Sequence, residues 1–199
     1  VETPREVDGR IAWVTGLAFF LMSASLFAGY RFKQERSIMH VEQSVAGWPA
    51  APRLLARVMM EKYGLPDESN QSRMVWLARA PWKRIVVHQD EHNFPLEQVV
   101  DYNVRPQGPE ALRAFGHGVI ADSDHAELSA QNERESTNFL ALNLADEVAS
   151  GACTLEQAER VYAKTVSLAQ AGKSSAYTEG LLFDGRVEIP SVWAKDLRY

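Results

Sequence analysis

The chain has 199 residues, a formal charge of −5 and one cysteine. A mildly acidic chain lacks the positive field that displaces phosphate counterions, which argues against nucleic acid as a partner. The lone Cys153 excludes an internal disulfide, a CxxC zinc site and a CxxCH haem attachment.

Residues 1–10 are a polar N-terminal tail. Ile11 to Tyr30, IAWVTGLAFFLMSASLFAGY, follows as twenty uncharged residues fenced by Arg10 and Arg31. A helix of this length spans roughly 30 Å, the thickness of a bilayer's hydrocarbon core. Trp13 and Tyr30 stand near its two ends, where amphipathic rings favour the membrane–water boundary. A buried core helix would carry a polar stripe, and Thr15, Ser23 and Ser25 are too few and too mild to make one. A secretory signal has a shorter apolar region. The stretch is therefore predicted to be a retained transmembrane helix. Gly16, Ala24, Ser25, Ala28 and Gly29 give it a small-residue face on which another helix can pack closely. Phe19, Phe20, Leu26 and Phe27 offer bulk to lipid or to neighbouring pigments. Arg5 and Arg10 before the span, against Arg31, Lys33 and Arg36 after it, leave the orientation undecided.

Residues 31–47 read as a stalk or linker, ended by Gly47-Trp48-Pro49. Ala50 to Tyr63 is predicted to be an amphipathic helix with Leu54, Leu55, Val58 and Met59 on its apolar face, stopped by Gly64 and Pro66. Ser72 to Arg79 alternates as a strand, with Met74, Trp76 and Ala78 on one face and Arg73, Val75, Leu77 and Arg79 on the other. Ala80-Pro81 turns the chain, Trp82 to Gln89 returns it, and Leu96 to Val104 supplies a third strand. A short helix opens at Pro109 and runs to Phe115. A second hairpin joins Gly118–Ala121 to His125–Ala130, and two helices close the domain at Glu133–Ala149 and Leu155–Ala171. Thr154 and Gln157 form a capping box for the last one. From Lys173 periodicity fades, and 184–199 is set apart as a C-terminal arm carrying Trp193 and Tyr199. The fold class is α+β: a transmembrane helix, then an antiparallel sheet packed with helices over residues 48–183.

Several strings stand out together: Lys62 to Glu68, Pro81 to Arg84, His92 to Tyr102, Asn138 to Ala145 and Ala176 to Leu181. Over Glu61 to Phe183 they resemble a family of bacterial exported proteins made with a signal sequence and no other domain. The resemblance implies an extracytoplasmic domain, hence an N-in, C-out protein of the bacterial inner membrane with its C-terminal domain in the periplasm. It implies no catalytic residues. The chain departs from the family pattern by keeping its apolar segment as an anchor. Large membrane assemblies recruit such pieces, and photosynthetic reaction-centre and light-harvesting complexes are one setting.

His88, Asp90, Glu91 and His92 form the densest set of ligand-type residues, with His117, Asp122, Asp124 and His125 further on. Metals need two to four such groups converging on one point. Loop histidines and turn aspartates in water account for this spacing, so no metal ligand is assigned. The chain has no Gly-x-Ser-x-Gly, and Gly116-His117-Gly118 lacks the pattern of a phosphate loop. Trp76, Trp82, Arg79, Lys83 and Arg84 mix aromatics with charge and are a candidate partner surface, together with Trp193 and Tyr199. Cross-strand packing explains the same composition. The expected function is a non-catalytic, single-pass accessory subunit whose partners are lipid and other membrane subunits. It binds no cofactor through motifs of its own. The alternative is an anchored enzyme or ligand-binding protein using the His88–His92 loop with His117 or His125.

Overall fold

The buried runs Met74-Val75-Trp76, Ile85-Val86-Val87 and Gln98-Val99-Val100 build the centre of this protein. The computed structural model describes residues 39, 41–90, 94–103 and 108–183. The chain divides into two units, 1–44 and 45–199, and the second holds the sheet. The transmembrane prediction for 11–30, most of the stalk and the 184–199 arm lie outside the described residues. Among the described residues no helix is long and apolar enough to cross a membrane.

In chain order the second unit contains α1 (Ala50–Tyr63), β1 (Glu68–Ser69), β2 (Arg73–Arg79), β3 (Trp82–His88), β4 (Leu96–Asp101) and α2 (Gly108–Phe115). It continues with β5 (Val119–Asp122), β6 (Glu127–Asn132), α3 (Glu135–Ser150), α4 (Leu155–Gln170) and α5 (Ala176–Glu179). The strands form one six-stranded antiparallel sheet in the order β1-β2-β3-β4-β6-β5. An antiparallel sheet with helices against it is the α+β arrangement expected from the sequence.

Register decides what each face carries. Met74 pairs with Val87, Trp76 with Ile85, Ile85 with Gln98 and Val100 with Leu128. That row faces the helices, and Met74, Trp76, Ile85, Val87, Leu128 and Ala130 have no exposed surface. Each large apolar side chain buried this way contributes roughly 1.5–3 kcal/mol. The opposite face brings Leu77 against Arg84, Val86 against Glu97 and Asp101 against Glu127. Its charges pair across strands: Arg84 lies 3.2 Å from Glu127, and Lys83 reaches Glu127 at 3.0 Å and Asp101 at 2.8 Å.

The run Asn138 to Ala145 is buried on every side of α3, as a helix hydrophobic all round must be. Phe139 stacks on Trp82 with ring centroids 4.8 Å apart, bringing α3 against β3. Thr154 and Gln157 close the predicted capping box on α4, at 3.2 Å and 2.8 Å. Two expectations shift. On α1 the inward residues are Pro52, Ala56 and Met59, whereas Leu54 and Val58 are exposed. Met59 belongs to both sets, so contact with the sheet selects a side turned from the predicted stripe and overlapping it at one edge. The strand predicted from His125 starts at Glu127, because Asp122 Oδ1 accepts from the amides of Asp124 and His125 and holds a longer turn.

Beyond α4 the chain turns back onto α3. Asn143 donates to the carbonyls of Tyr177 (3.1 Å) and Gly180 (2.8 Å) and accepts from the Leu182 amide (2.8 Å). Tyr177 OH donates to Glu147 at 2.6 Å, and that bond, with burial, pushes the phenol up to about 12. Replacing Asn143 by alanine removes all three bonds and leaves two carbonyls unpaired. The expected cost is about 1–3 kcal/mol, with faster proteolytic cutting in 177–183; an unchanged cleavage pattern contradicts the clasp. A second test is Gly118, which has φ +74° and whose added Cβ would sit 2.2 Å from the Gln131 carbonyl oxygen. Gly118→Ala is expected to lower the urea midpoint, costing about 1–3 kcal/mol from backbone strain alone, and an unshifted midpoint refutes it.

Candidate functional site

The densest meeting of polar side chains in the interior is centred on Glu135, the first residue of α3. A carboxylate at a helix N-terminus meets the positive end of the helix dipole. Here it also receives four side-chain donors. Oε1 accepts from Trp82 Nε1 at 2.8 Å, from Gln98 Nε2 at 3.1 Å and from the Tyr63 hydroxyl. Oε2 accepts from the Lys62 ammonium. The Trp82 indole N–H is shared with the Tyr63 oxygen at 3.0 Å. The site thus joins α1, β3, β4 and α3 at one carboxyl group.

Burial works against the charged form of Glu135. The hydrogen bonds from Lys62, Tyr63 and Trp82 outweigh it and hold the carboxyl below its ordinary range. Burial likewise opposes the Lys62 charge, and the bond to Glu135 overcomes it, raising the ammonium. Tyr63 is raised by burial and by the same carboxylate. A carboxylate stabilised as an anion by four donors is a weak base and a weak nucleophile. Its chemistry is that of a joint.

The joint continues into the core. Gln98 Oε1 accepts from Asn138 Nδ2 at 2.9 Å, and Asn138 also donates to the Leu96 carbonyl at 3.2 Å. Asn138 Oδ1 accepts from Asn132 Nδ2 at 3.0 Å, and Asn132 reaches the His117 carbonyl at 3.2 Å. Gln98, Asn132 and Asn138 are buried, and among the described residues no buried side-chain polar atom lacks a partner. Satisfied networks of this kind rigidify a core and specify its arrangement.

The structure separates the residues singled out in the sequence. Trp76 and Trp82 are core residues, 0 % and 2 % exposed, so neither ring presents a surface to a partner. Trp76 Nε1 donates to the Gly64 carbonyl at 2.8 Å. Arg79 and Arg84 stay at the surface, Arg79 with Asp67 at 3.2 Å and Arg84 with Glu127. The described histidines do not converge. His88 pairs with Glu97 at 3.1 Å, His117 with Glu159 at 3.0 Å and His125 with Asp122 at 2.7 Å. His92 lies outside the described residues, as do Arg10, Trp13, Gly16, Ala24, Ser25, Ala28, Gly29, Tyr30, Arg31, Trp193 and Tyr199. Among the described residues no three His, Cys, Asp or Glu side chains are placed to hold a metal ion. Burial and the neighbouring Glu147 push the Cys153 thiol up, away from thiolate chemistry.

Beside the joint runs a groove of about 810 Å³ between α1, the Phe94-Pro95 segment and the start of α3. Ala51, Leu54, Leu55, Val58 and Met59 line one side, and Phe94 and Pro95 the other. Comparison with family models, with curated proteins and with solved structures returns no match.

Glu135→Gln keeps the shape and removes the charge that Lys62 and Tyr63 bind. The expected loss is about 1–3 kcal/mol at neutral pH. Because the folded carboxyl sits below its unfolded value of about 4.3, its contribution is complete above that pH. It disappears as pH falls through the folded value. Denaturant curves should show the gap between native chain and variant closing on acidification, and a gap independent of pH would contradict the assignment.

Proposed function

We propose that this chain is a single-pass accessory subunit of a bacterial inner-membrane complex. Its α+β domain stands in the periplasm and braces neighbouring subunits without catalysing a reaction. The observation that carries this reading is the twenty-residue uncharged stretch Ile11 to Tyr30, matched to lipid and fenced by Arg10 and Arg31. The interior of the domain supports it, since its charged and polar groups bind one another in a frame joining sheet and helices. The face made by Gly16, Ala24, Ser25, Ala28 and Gly29 supplies a close-packing surface for a partner helix. The resemblance over Glu61 to Phe183 supports the periplasmic side. Trp193 and Tyr199 on the C-terminal arm supply aromatic contacts of the kind enriched at interfaces. Photosynthetic reaction-centre and light-harvesting assemblies are one setting for such a subunit, with pigments or lipids as neighbours of the helix.

Gentle solubilisation of the native membrane, followed by separation of intact complexes, tests the reading. The chain is expected to migrate with larger subunits, and an absorption spectrum of that band reports any pigment. Migration as a free monomer contradicts the proposal. Protease added to intact spheroplasts should digest the domain and spare the apolar stretch; a protected domain reverses the orientation.

A further inference from the structure

The groove beside α1 has an apolar rim that the fold leaves uncovered. Leu54 (64 % exposed) and Val58 (45 %) stand on one bank and Phe94 (51 %) on the other. Large apolar side chains gathered on one groove mark a contact surface, whereas single exposed ones need no explanation. Arg53 and Arg57 lie beside Leu54 on α1, and Arg134 lies across the groove. Among the described residues none of these three cations pairs with a carboxylate, Arg53 donating to the Ala46 carbonyl at 3.4 Å. On α1 and residues 133–136 the described acids are Glu61, Glu133 and Glu135, the last occupied by Lys62, so these two segments hold more unpaired arginines than unpaired acids.

The rim follows the apolar stretch Ile11 to Tyr30 closely in sequence. The chain enters the domain at Val45 and Trp48, 2 % and 4 % exposed, with the Trp48 indole donating to the Gln71 carbonyl at 2.7 Å. Fourteen residues, 31–44, separate Tyr30 from Val45. Residues 39 and 41–44 are helical, so the connection reaches well short of the roughly 50 Å that fourteen stretched residues would span. α1 begins five residues after Val45, and its exposed Leu54 and Val58 sit in its second and third turns on the groove side.

We propose that the α1–Phe94 rim rests on the lipid bilayer. Leu54, Val58 and Phe94 enter the boundary between headgroups and acyl chains, with Arg53, Arg57 and Arg134 at the lipid phosphates. An apolar face edged by arginine is the pattern that binds a helix flat in the interface. This inference rests on the membrane-anchored reading and adds to it a second contact with lipid, which fixes the domain's orientation.

The test uses the full chain in vesicles of mixed zwitterionic and anionic phospholipid. In a Cys153→Ala background, Leu54→Cys and Phe94→Cys are made separately and labelled with an environment-sensitive fluorophore. Ile120→Cys, at an exposed apolar position on the far side of the sheet, serves as control. Circular dichroism confirms folding, and two labelled positions on separate segments guard against a local defect. Spin-labelled lipid should quench the labels at 54 and 94 several-fold more than the label at 120, and aqueous iodide should do the reverse. A chain that floats with the vesicles while iodide reaches 54 and 94 as freely as 120 overturns the inference and leaves the anchor standing. Labels reached by neither quencher indicate a protein surface, such as a second copy, and also overturn it. A chain that does not float overturns the anchor and this inference together.

Discussion

A carboxylate taken out of water needs donors, and the position of Glu135 forces α1, β3, β4 and α3 to supply them together. Lys62 and Tyr63 come from the last turn of α1, Trp82 from the first residue of β3 and Gln98 from the middle of β4. Removing any one leaves the others facing a half-satisfied charge, which is costly where the dielectric is low. Gln98 then hands the constraint to Asn138 and Asn132, so the same chain of bonds pins β6 and the turn at His117. Apolar burial drives the collapse, but would tolerate α3 sliding along the sheet. The polar line removes that freedom.

That division of labour bears on what the domain is for. The ring of Trp82, a sequence candidate for a partner surface, is instead spent on Phe139 and its N–H on Glu135 and Tyr63. On the face of the sheet away from the helices, Lys83 and Arg84 are tied together through Glu127. The clasp at Asn143 fixes the return of the chain over α3, and Phe183 meets Tyr102 edge-on at 5.6 Å. Such internal pairing supports the proposed bracing role, in which the domain serves as a spacer between subunits. The apolar rim of α1 gathers exposed Leu54, Val58 and Phe94 on one groove.

Much of the fold was legible in the residues. The hairpin around Ala80-Pro81, the continuous apolar run in α3 and the Thr154–Gln157 box all reflect local rules that the packing obeys. Other features depend on partners distant in sequence. β1 is two residues long, too short for periodicity, and exists because Val75 and Met74 pair with it. α5 has four residues and a Ser175–Thr178 box in place of the usual Glu or Gln partner, so no helix signal marks it. Leu54 and Val58 looked like a core stripe because composition does not reveal which side of a helix the sheet will cover. The Glu135 joint left one trace: Gln98 shares its face with Leu96 and Val100, so strict alternation already placed an amide among apolar neighbours.

Behind every statement about this chain's role stands the claim that Ile11 to Tyr30 resides in lipid. Washing native membranes with alkaline carbonate and following the full-length chain tests it most directly. Integral proteins stay with the membrane sheet, whereas proteins held by surface charge are released. The account predicts that the chain remains in the pellet and enters solution only with detergent. Full-length chain in the carbonate supernatant would contradict it.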